Sequence, residues 1–127
     1  MPVKKISDFV NDLTNGSVQL TEVTGENAVT RTSLHYVEME PGGDIKPHVH
    51  DRTEMYVFLT GRALVMTGKD ITEVTTGDVA IAPAGTPHGI KVIGNEPLRW
   101  YAANTPPAST CAPEPAPEEY LWKWERH

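Results

Sequence analysis

Residues 42–61 read GGDIKPHVHDRTEMYVFLTG and carry two histidines one residue apart, with a glutamate four positions after the second. Successive side chains on a β-strand point to opposite faces, so His48 and His50 are expected to point the same way, about 7 Å apart along the strand. Glu54 has the same parity and reaches the same interior if the chain bends at residues 51–53 and resumes as a strand. Because neighbouring imidazoles can share one ion, the spacing predicts three metal-binding side chains on one hairpin.

The position of Glu54 adds to this prediction, since the apolar run of residues 55–59 follows it. Glutamate is almost never fully buried without a partner, and a divalent cation would be such a partner. A fourth ligand is expected from another strand that faces the same cavity, and His88, directly after the turn of residues 83–87, is the candidate. A lone His-x-His is a weak metal signal, so half-buried strand histidines are the alternative interpretation.

The region around this stretch has the pattern of an all-β protein. Short runs of β-branched and aromatic residues alternate with glycine-containing turns, and no segment between them has the length or period of a helix. Such spacing is typical of an antiparallel sandwich that closes toward a barrel, of which the jelly roll is the natural member. Nine strands are predicted, over residues 18–23, 29–39, 45–50, 54–60, 63–67, 71–74, 79–82, 88–93 and 98–103.

The two ends of the chain have different patterns. Ile6, Phe9, Val10 and Leu13 stand at helical spacing and predict one short N-terminal helical turn. Residues 105–117 contain five prolines, and a segment of this composition favours an extended arm that lacks donors for a sheet and runs over the surface.

The last ten residues predict a docked C-terminal turn. Tyr120 and Trp124 stand four apart, with acidic residues before them and basic residues after, which suits a short helix and its dipole. The expected organisation is therefore a β-barrel over residues 1–104, with its motif core at 29–103, followed by a proline-rich linker arm at 105–117 and the docked turn at 118–127.

Composition excludes several classes of partner. The 127 residues carry a net charge of −6, and their lysines and arginines are scattered, so no basic stripe is available for nucleic acid. No run of ~18 apolar residues is present to span a membrane. The single cysteine cannot close an intrachain disulfide, and the N-terminus lacks the apolar core of a secretion signal. A cytoplasmic location is expected.

The spacing of residues 42–61 is G-x5-H-x-H-x3-E-x6-G, and that of residues 77–88 is G-x5-P-x-G-x2-H. These patterns resemble the first and second motifs of the cupin family over roughly residues 29–103. The second motif departs from the family where Val92 replaces its final asparagine, which puts strand packing in doubt more than ligation. The resemblance implies a cupin-type jelly-roll β-barrel, frequent homodimers, and a metal held by three histidines and one glutamate, here His48, His50, Glu54 and His88.

Imidazoles and a carboxylate suit one divalent transition metal, namely Mn, Fe, Co, Ni, Cu or Zn. Four protein ligands on a six-coordinate ion leave two adjacent positions, at which a small acid, hydroxy-ketone or enediol can chelate. Tyr56 shares the parity of Glu54 and is a candidate proton donor or, near a cation, a base. A tyrosine that simply fills the barrel is the alternative.

The remaining candidates have weaker signals. Arginines that could hold a substrate carboxylate, or be surface charges, are Arg31, Arg52, Arg62 and Arg99. Side chains that could line the pocket, or pack the core, are Tyr36, Phe58, Met66 and Trp100. His35 is expected near the site or on the outer face of its strand, and His127 is expected to be a chain end without a role.

Three functions stay open on the sequence alone. The first is a metal-dependent enzyme that uses Lewis-acid and acid-base chemistry on a small oxygenated acid, as a decarboxylase, lyase, isomerase or cyclase. The second is a dioxygenase with Fe(II) or another redox metal that cleaves a carbon-carbon bond. The third is a cupin that binds a small molecule without turnover. A small-molecule ligand and a homodimer are expected in each case.

Overall fold

Two antiparallel β-sheets and one short helix form the computed structural model, which describes residues 18–22, 32–106 and 112–127. The predicted N-terminal helical turn, Arg31 and the single cysteine lie outside these residues. The elements are β1 Val18–Glu22, β2 Ser33–Met39, β3 Asp44–Val49, β4 Thr53–Thr60, β5 Arg62–Thr67, β6 Asp70–Val74, β7 Val79–Ala82, β8 His88–Ile93, β9 Leu98–Thr105, β10 Glu114–Pro115 and α1 Glu118–Glu125.

The strands form two five-stranded sheets, in the orders β1-β2-β9-β4-β7 and β10-β3-β8-β5-β6. Nine of these strands correspond to the nine that alternation and turn residues predict, with ends that differ by at most two residues within the described part of the chain. Residues 23 and 29–31 of the first two predicted strands lie outside the described residues. The predicted all-β jelly roll is confirmed. Inward-facing side chains of both sheets form one apolar core, and its largest members include Phe58, Trp100 and Met39.

Along strand β9 the barrel interior changes from the apolar core to the polar site. Along β9 the burial alternates strictly, so that Leu98, Trp100, Ala102 and Asn104 face inward. The two large residues continue the apolar core. The small alanine and the polar asparagine come next, so the interior changes from filled and apolar to open and polar toward the end of this strand.

The segment between β3 and β4 is a corner and not a hairpin, so that prediction was wrong. Strand β3 pairs with β8 and β10, whereas β4 pairs with β7 and β9 in the other sheet. The chain crosses from one sheet to the other between Val49 and Thr53. Side-chain parity predicts which side chains share the interior, but it cannot show whether two successive strands pair with each other.

The C-terminal arm also departs from expectation, because part of it joins a sheet. Glu114 and Pro115 pair with Val49 and His48 of β3, and the backbone N–H of Ala116 donates to the Pro47 carbonyl at 3.1 Å. Proline lacks an N–H, but its neighbours supply the donors. The arm therefore adds a short edge strand next to the histidine-bearing strand, while residues 107–111 lie outside the described part.

Helix α1 follows the arm and lies against β3. Its Trp124 is fully buried, and the indole N–H of Trp124 donates to Asp44 Oδ1 at 2.8 Å. The ammonium of Lys91 lies 4.4 Å from the centre of the same ring. Trp122 stays 58% exposed, with the Arg126 guanidinium 3.7 Å from its ring centre. Trp124 therefore anchors the helix to the barrel, whereas Trp122 does not.

Among the described residues no helix is both long enough and apolar enough to cross a membrane. The predicted division of the chain at residues 104 and 117 stays a prediction.

We expect the Trp124→Ala substitution to lower the free energy of unfolding by about 3–5 kcal/mol, because it removes a buried aromatic ring and leaves Asp44 without its donor. The matched control is Trp122→Ala on the exposed face of the same helix, which should change stability by no more than roughly 1 kcal/mol. Urea denaturation of both variants measures the difference. Equal losses would show that α1 does not dock through Trp124.

Candidate metal centre

Four side chains converge at one end of the barrel interior. His48 lies on β3, His50 just after it, Glu54 on β4 and His88 at the start of β8. One ligand atom from each can be chosen so that all four lie within 4.8 Å of one another. His48 and His88 are direct partners in the β3–β8 register, and their ring centres are 4.3 Å apart. The two stretches that sequence spacing singled out therefore meet in space.

Local backbone features bring β8 this close to β3. The register shifts between Ile45 and His48, as at a β-bulge. Opposite this irregularity, a Cβ on Gly89 would lie 2.8 Å from the Ile45 carbonyl oxygen, so only glycine fits there. Gly85 has a φ of +79° and donates its N–H to the His50 carbonyl at 3.0 Å, which ties the turn before His88 to the first motif.

The three imidazoles are held in the same way. In each ring Nδ1 lies close to a backbone carbonyl two residues away: 2.8 Å for His48 and Lys46, 3.1 Å for His50 and Arg52, and 2.9 Å for His88 and Thr86. A carbonyl can only accept a hydrogen bond, so Nδ1 must carry the proton in all three rings. In a neutral imidazole, Nε2 then presents a lone pair, which is the form that binds a metal.

The lone pairs and the carboxylate face one another at short range. Nε2 of His50 lies 3.1 Å from Nε2 of His88. Oε1 of Glu54 lies 3.1 Å from the first of these nitrogens and 3.3 Å from the second. These atoms are all acceptors once Nδ1 is protonated, and acceptors repel at such distances unless a proton or a cation lies among them. The cluster is therefore compatible with a metal ion.

Burial affects the charges of the site. His50 and His88 are almost completely buried, and the side chain of Glu54 is only 12% exposed. Burial, followed by the nearby charge of His88, lowers the pKa of His48, which favours its neutral, metal-binding form. Burial alone would raise the pKa of Glu54, but hydrogen bonds from His50 and His88 and the positive charge of His88, which require a proton among the Nε2 atoms when no ion is bound, outweigh burial and hold that pKa below its usual range. Glu54 is therefore the negative charge of the cluster.

Glu54 has partners beyond the histidines. The Tyr56 hydroxyl donates to Oε1 at 2.9 Å, and the amide of Asn104 donates to Oε2 at 3.4 Å. Asn104 Oδ1 in turn accepts from Arg52 Nε at 2.8 Å. Such outer contacts orient a metal-binding carboxylate. Sequence analysis missed Asn104, although a polar residue at an inward position of the apolar β9 pattern was a usable signal.

Tyr56 is buried at the edge of the cluster. Burial, followed by the charge of Glu54 and the hydrogen bond to it, raises the pKa of Tyr56 well above its usual value. The phenol therefore keeps its proton in this environment. The roles considered for Tyr56, as proton donor, as base near a cation or as a packing residue, stay predictions.

A cavity of about 160 Å³ adjoins the cluster inside the barrel. Its walls are mostly apolar, with a few polar groups at the metal-site end. The lining residues are Val37, Ile45, His48, Arg52, Glu54, Tyr56, Ile90, Trp100 and Ala102. Two of the four site residues face directly into this space, so a molecule held there would lie next to a bound ion.

The candidate arginines within the described residues differ in their position relative to the cavity. Arg52 lines the cavity. Arg62 is 57% exposed and pairs with Glu73, and Arg99 bonds to Glu38 at 3.3 Å. Neither of the last two lines the cavity, so Arg52 is the arginine at the site among the described residues.

The candidate pocket-lining residues and the two remaining histidines also differ in position. Trp100 lines the cavity, whereas Tyr36, Phe58 and Met66 are buried elsewhere. His35 is a buried residue of β2, with its Nε2 3.1 Å from the Ser33 hydroxyl. His127 lies at the exposed chain end, with its Nδ1 3.1 Å from the Lys123 carbonyl oxygen.

Comparison with known proteins identifies the family. A cupin domain family model matches residues 35–104, which is more than half of the chain. The chain belongs to the cupin family. An uncharacterized protein of Methanocaldococcus jannaschii is 41% identical over 56 residues, which cover 44% of this cupin and 45% of that protein. The chain spans about half the length of the curated relatives that it matches.

Solved structures show the same cupin fold. A Klebsiella pneumoniae protein with a double-stranded β-helix domain superposes with a TM-score of 0.74 at 23% identity, covering 91% of this chain and 99% of that one. A predicted oxalate decarboxylase of Thermotoga maritima gives a TM-score of 0.74 at 19% identity, covering 82% and 98%. At these identities the structural similarity shows the fold alone. An inference about the reaction must therefore rest on the residues of the site.

We expect the His50→Ala substitution to lower metal affinity by about 10-fold or more while the fold is kept, because the apolar core holds most of the buried area. Elemental analysis and a competitive chelator titration measure the loss, and circular dichroism checks the fold. His127→Ala is the matched control, since that histidine is exposed and far along the chain from the cluster. Equal metal content in both variants and the wild type would contradict the assignment of His50 as a ligand.

Proposed function

We propose that this cupin is a metal-dependent enzyme that acts on a small oxygenated organic acid or hydroxy-ketone. The proposal rests on the convergence of three imidazoles, each oriented by an Nδ1–H to carbonyl bond, on one carboxylate beside a small cavity. A buried site of this kind has the donor set for a divalent transition metal and room for a ligand next to it.

The metal would be held by His48, His50, Glu54 and His88, and it would polarise a chelated oxygen and stabilise negative charge that develops on the substrate. The three neutral imidazoles and one carboxylate leave a dication with a net positive charge. An anionic, oxygen-rich ligand is therefore favoured over a neutral or cationic one.

The cavity limits the size of the substrate. At ~30 Å³ per water molecule, a volume of 160 Å³ has room for about five waters or a comparably small ligand. Drug-sized ligands occupy pockets of ≈300 Å³ or more. Arg52 is the cationic side chain in this wall, and its Nε is oriented by Asn104. A small carboxylic acid matches both the volume and the charge.

Tyr56 supplies the acid in this proposal. Its hydroxyl lies at the cavity wall, is bonded to Glu54 and has a raised pKa, so a proton is held at Oη beside the substrate. Decarboxylation and isomerisation of small acids need a proton delivered to a carbanion or enolate, and elimination needs one delivered to a basic leaving group; a positioned phenol can provide it in each case. The Thermotoga neighbour is a predicted oxalate decarboxylase, and a small acid as substrate of this cupin is in keeping with that likeness.

The direct test begins with protein purified without chelators or an affinity-column metal. Its metal is identified by elemental analysis, and turnover of a panel of keto acids, hydroxy acids and enediols is measured with that ion and after chelation. Metal-dependent turnover without oxygen uptake would support the proposal. Stoichiometric oxygen uptake would instead favour the dioxygenase, and tight binding without turnover would favour the binding-only cupin. The homodimer stays a prediction.

We expect the Tyr56→Phe substitution to keep the metal and to lower kcat by about 10²-fold or more, because the proton at Oη is lost while the ring still fills its place. Tyr101→Phe is the matched control on β9, since Tyr101 does not line the cavity and should leave kcat unchanged. Steady-state kinetics on the substrate found in the panel measure both variants. An unchanged kcat in Tyr56→Phe would show that Tyr56 only fills space in the barrel and does not transfer a proton.

A further inference from the structure

Strand β3 does not keep the regular alternation of side chains along its length. Asp44, Lys46 and His48 stand two residues apart, so a regular strand would direct all three to one face of the sheet. Ile45 packs against the apolar core, which places its two neighbours on the outer face. In agreement, the Lys46 side chain is 63% exposed, with its ammonium 3.9 Å from Asp44 Oδ2. His48, however, lies in the interior cluster beside His88.

A register shift between β3 and β8 explains this change of face. Lys46 and Pro47 of β3 lie opposite the single residue Gly89 of β8, which is the two-against-one arrangement of a β-bulge. One extra residue moves every later side chain to the other face of the sheet. The shift also makes His48 the direct partner of His88. In a ladder without the bulge, His48 would pair one position away and would face outward.

Contacts within the protein hold the bulge in this conformation. Pro47 is fully buried, and its carbonyl oxygen accepts from the N–H of Ala116 in the C-terminal arm at 3.1 Å. The Lys46 carbonyl oxygen accepts from Nδ1 of His48 at 2.8 Å. The bulge therefore affects His48 twice, because it turns the residue inward and supplies the carbonyl that orients its ring.

Gly89 makes room for the bulge on the β8 side. A Cβ at position 89 would lie 2.8 Å from the Ile45 carbonyl oxygen and 3.0 Å from the Pro47 nitrogen. Both are backbone atoms, so neither can move aside as the end of a flexible side chain can. Even alanine at this position would push β3 away from β8. Gly89 lies outside the G-x5-P-x-G-x2-H spacing of residues 77–88, so that motif does not account for it.

We propose that the bulge at Lys46 and Pro47, with Gly89 opposite it, turns His48 into the metal site. Gly89 is then a positioning residue that acts through His48, although its own backbone belongs to the neighbouring strand. This inference rests on the metal site of the proposed function and deepens it, because it names residues outside the cluster on which metal binding depends.

The test compares the Zn²⁺ affinities of the wild type and Gly89→Ala by competition with a chelator. We expect Gly89→Ala to bind Zn²⁺ about 10-fold or more weakly, because His48 is displaced from the other ligands. Gly77→Ala is the matched control. Gly77 has a φ of +87°, and among the described residues no atom beyond its chain neighbours lies within 4 Å of the position of a Cβ. Alanine there strains the backbone without a clash, so stability should fall while Zn²⁺ affinity changes by less than about 2-fold.

A double-mutant cycle shows whether Gly89 acts through His48. In His48→Ala the ligand is already absent, so adding Gly89→Ala should weaken Zn²⁺ binding by less than about 2-fold further. If the two losses multiply instead, Gly89→Ala acts at another residue and the inference is wrong. Co²⁺-loaded proteins give a spectroscopic readout that a general loss of stability would not move. The visible spectrum of Gly89→Ala should match that of His48→Ala and differ from that of the wild type.

If Gly89→Ala does not fold, Pro47→Ala takes its place in the same cycle. Alanine supplies the N–H that proline lacks and so permits a ladder without the bulge, and we expect a loss of Zn²⁺ affinity of about 3-fold or more. Wild-type affinity in the variant would contradict the inference and leave the metal site intact. Wild-type protein that binds neither Zn²⁺ nor Co²⁺ would contradict the metal site itself, and this inference with it.

Discussion

Three hydrogen bonds from imidazole Nδ1–H groups to backbone carbonyls determine what the interior of this protein can do. Each bond joins a histidine to a carbonyl two residues away, so each ring is fixed by its own segment of backbone. Because a carbonyl accepts and never donates, the three Nε2 atoms are left as lone pairs at one place. Together with Glu54 they form a group of acceptors that is unfavourable without a positive charge among them.

The barrel makes this arrangement possible by bringing both sheets to one point. His48 and His88 come from neighbouring strands of one sheet, and Glu54 comes from the other. Asn104 then connects Glu54 to Arg52, so that the cluster and the cavity share one hydrogen-bond network. The same interior that buries the apolar core toward Trp100 leaves a small open space beside the polar groups.

Most of the barrel strands and the four residues of the cluster could be predicted from the sequence, because both depend on patterns within short segments of the chain. Alternating apolar residues and glycine turns locate the barrel strands, and equal parity places His48, His50 and Glu54 on a common interior. Parity does not say which strands pair, so a corner between sheets was mistaken for a hairpin. The pairing of residues 114–115 with β3 depends on tertiary contacts between distant segments. The choice of Arg52 over Arg62 depends on three-dimensional position in the same way.

We propose that the four converging side chains bind one transition metal as a single site. Anomalous diffraction at the edges of Mn, Fe, Co, Ni, Cu and Zn, from crystals of protein purified without added metal or chelator, tests it most directly. We expect one peak surrounded by Nε2 of His48, His50 and His88 and a carboxylate oxygen of Glu54, at about 2.0–2.2 Å. Diffraction data with no anomalous peak among these four side chains, or a structure with the three imidazoles turned away from one another, would contradict a metal site at this place.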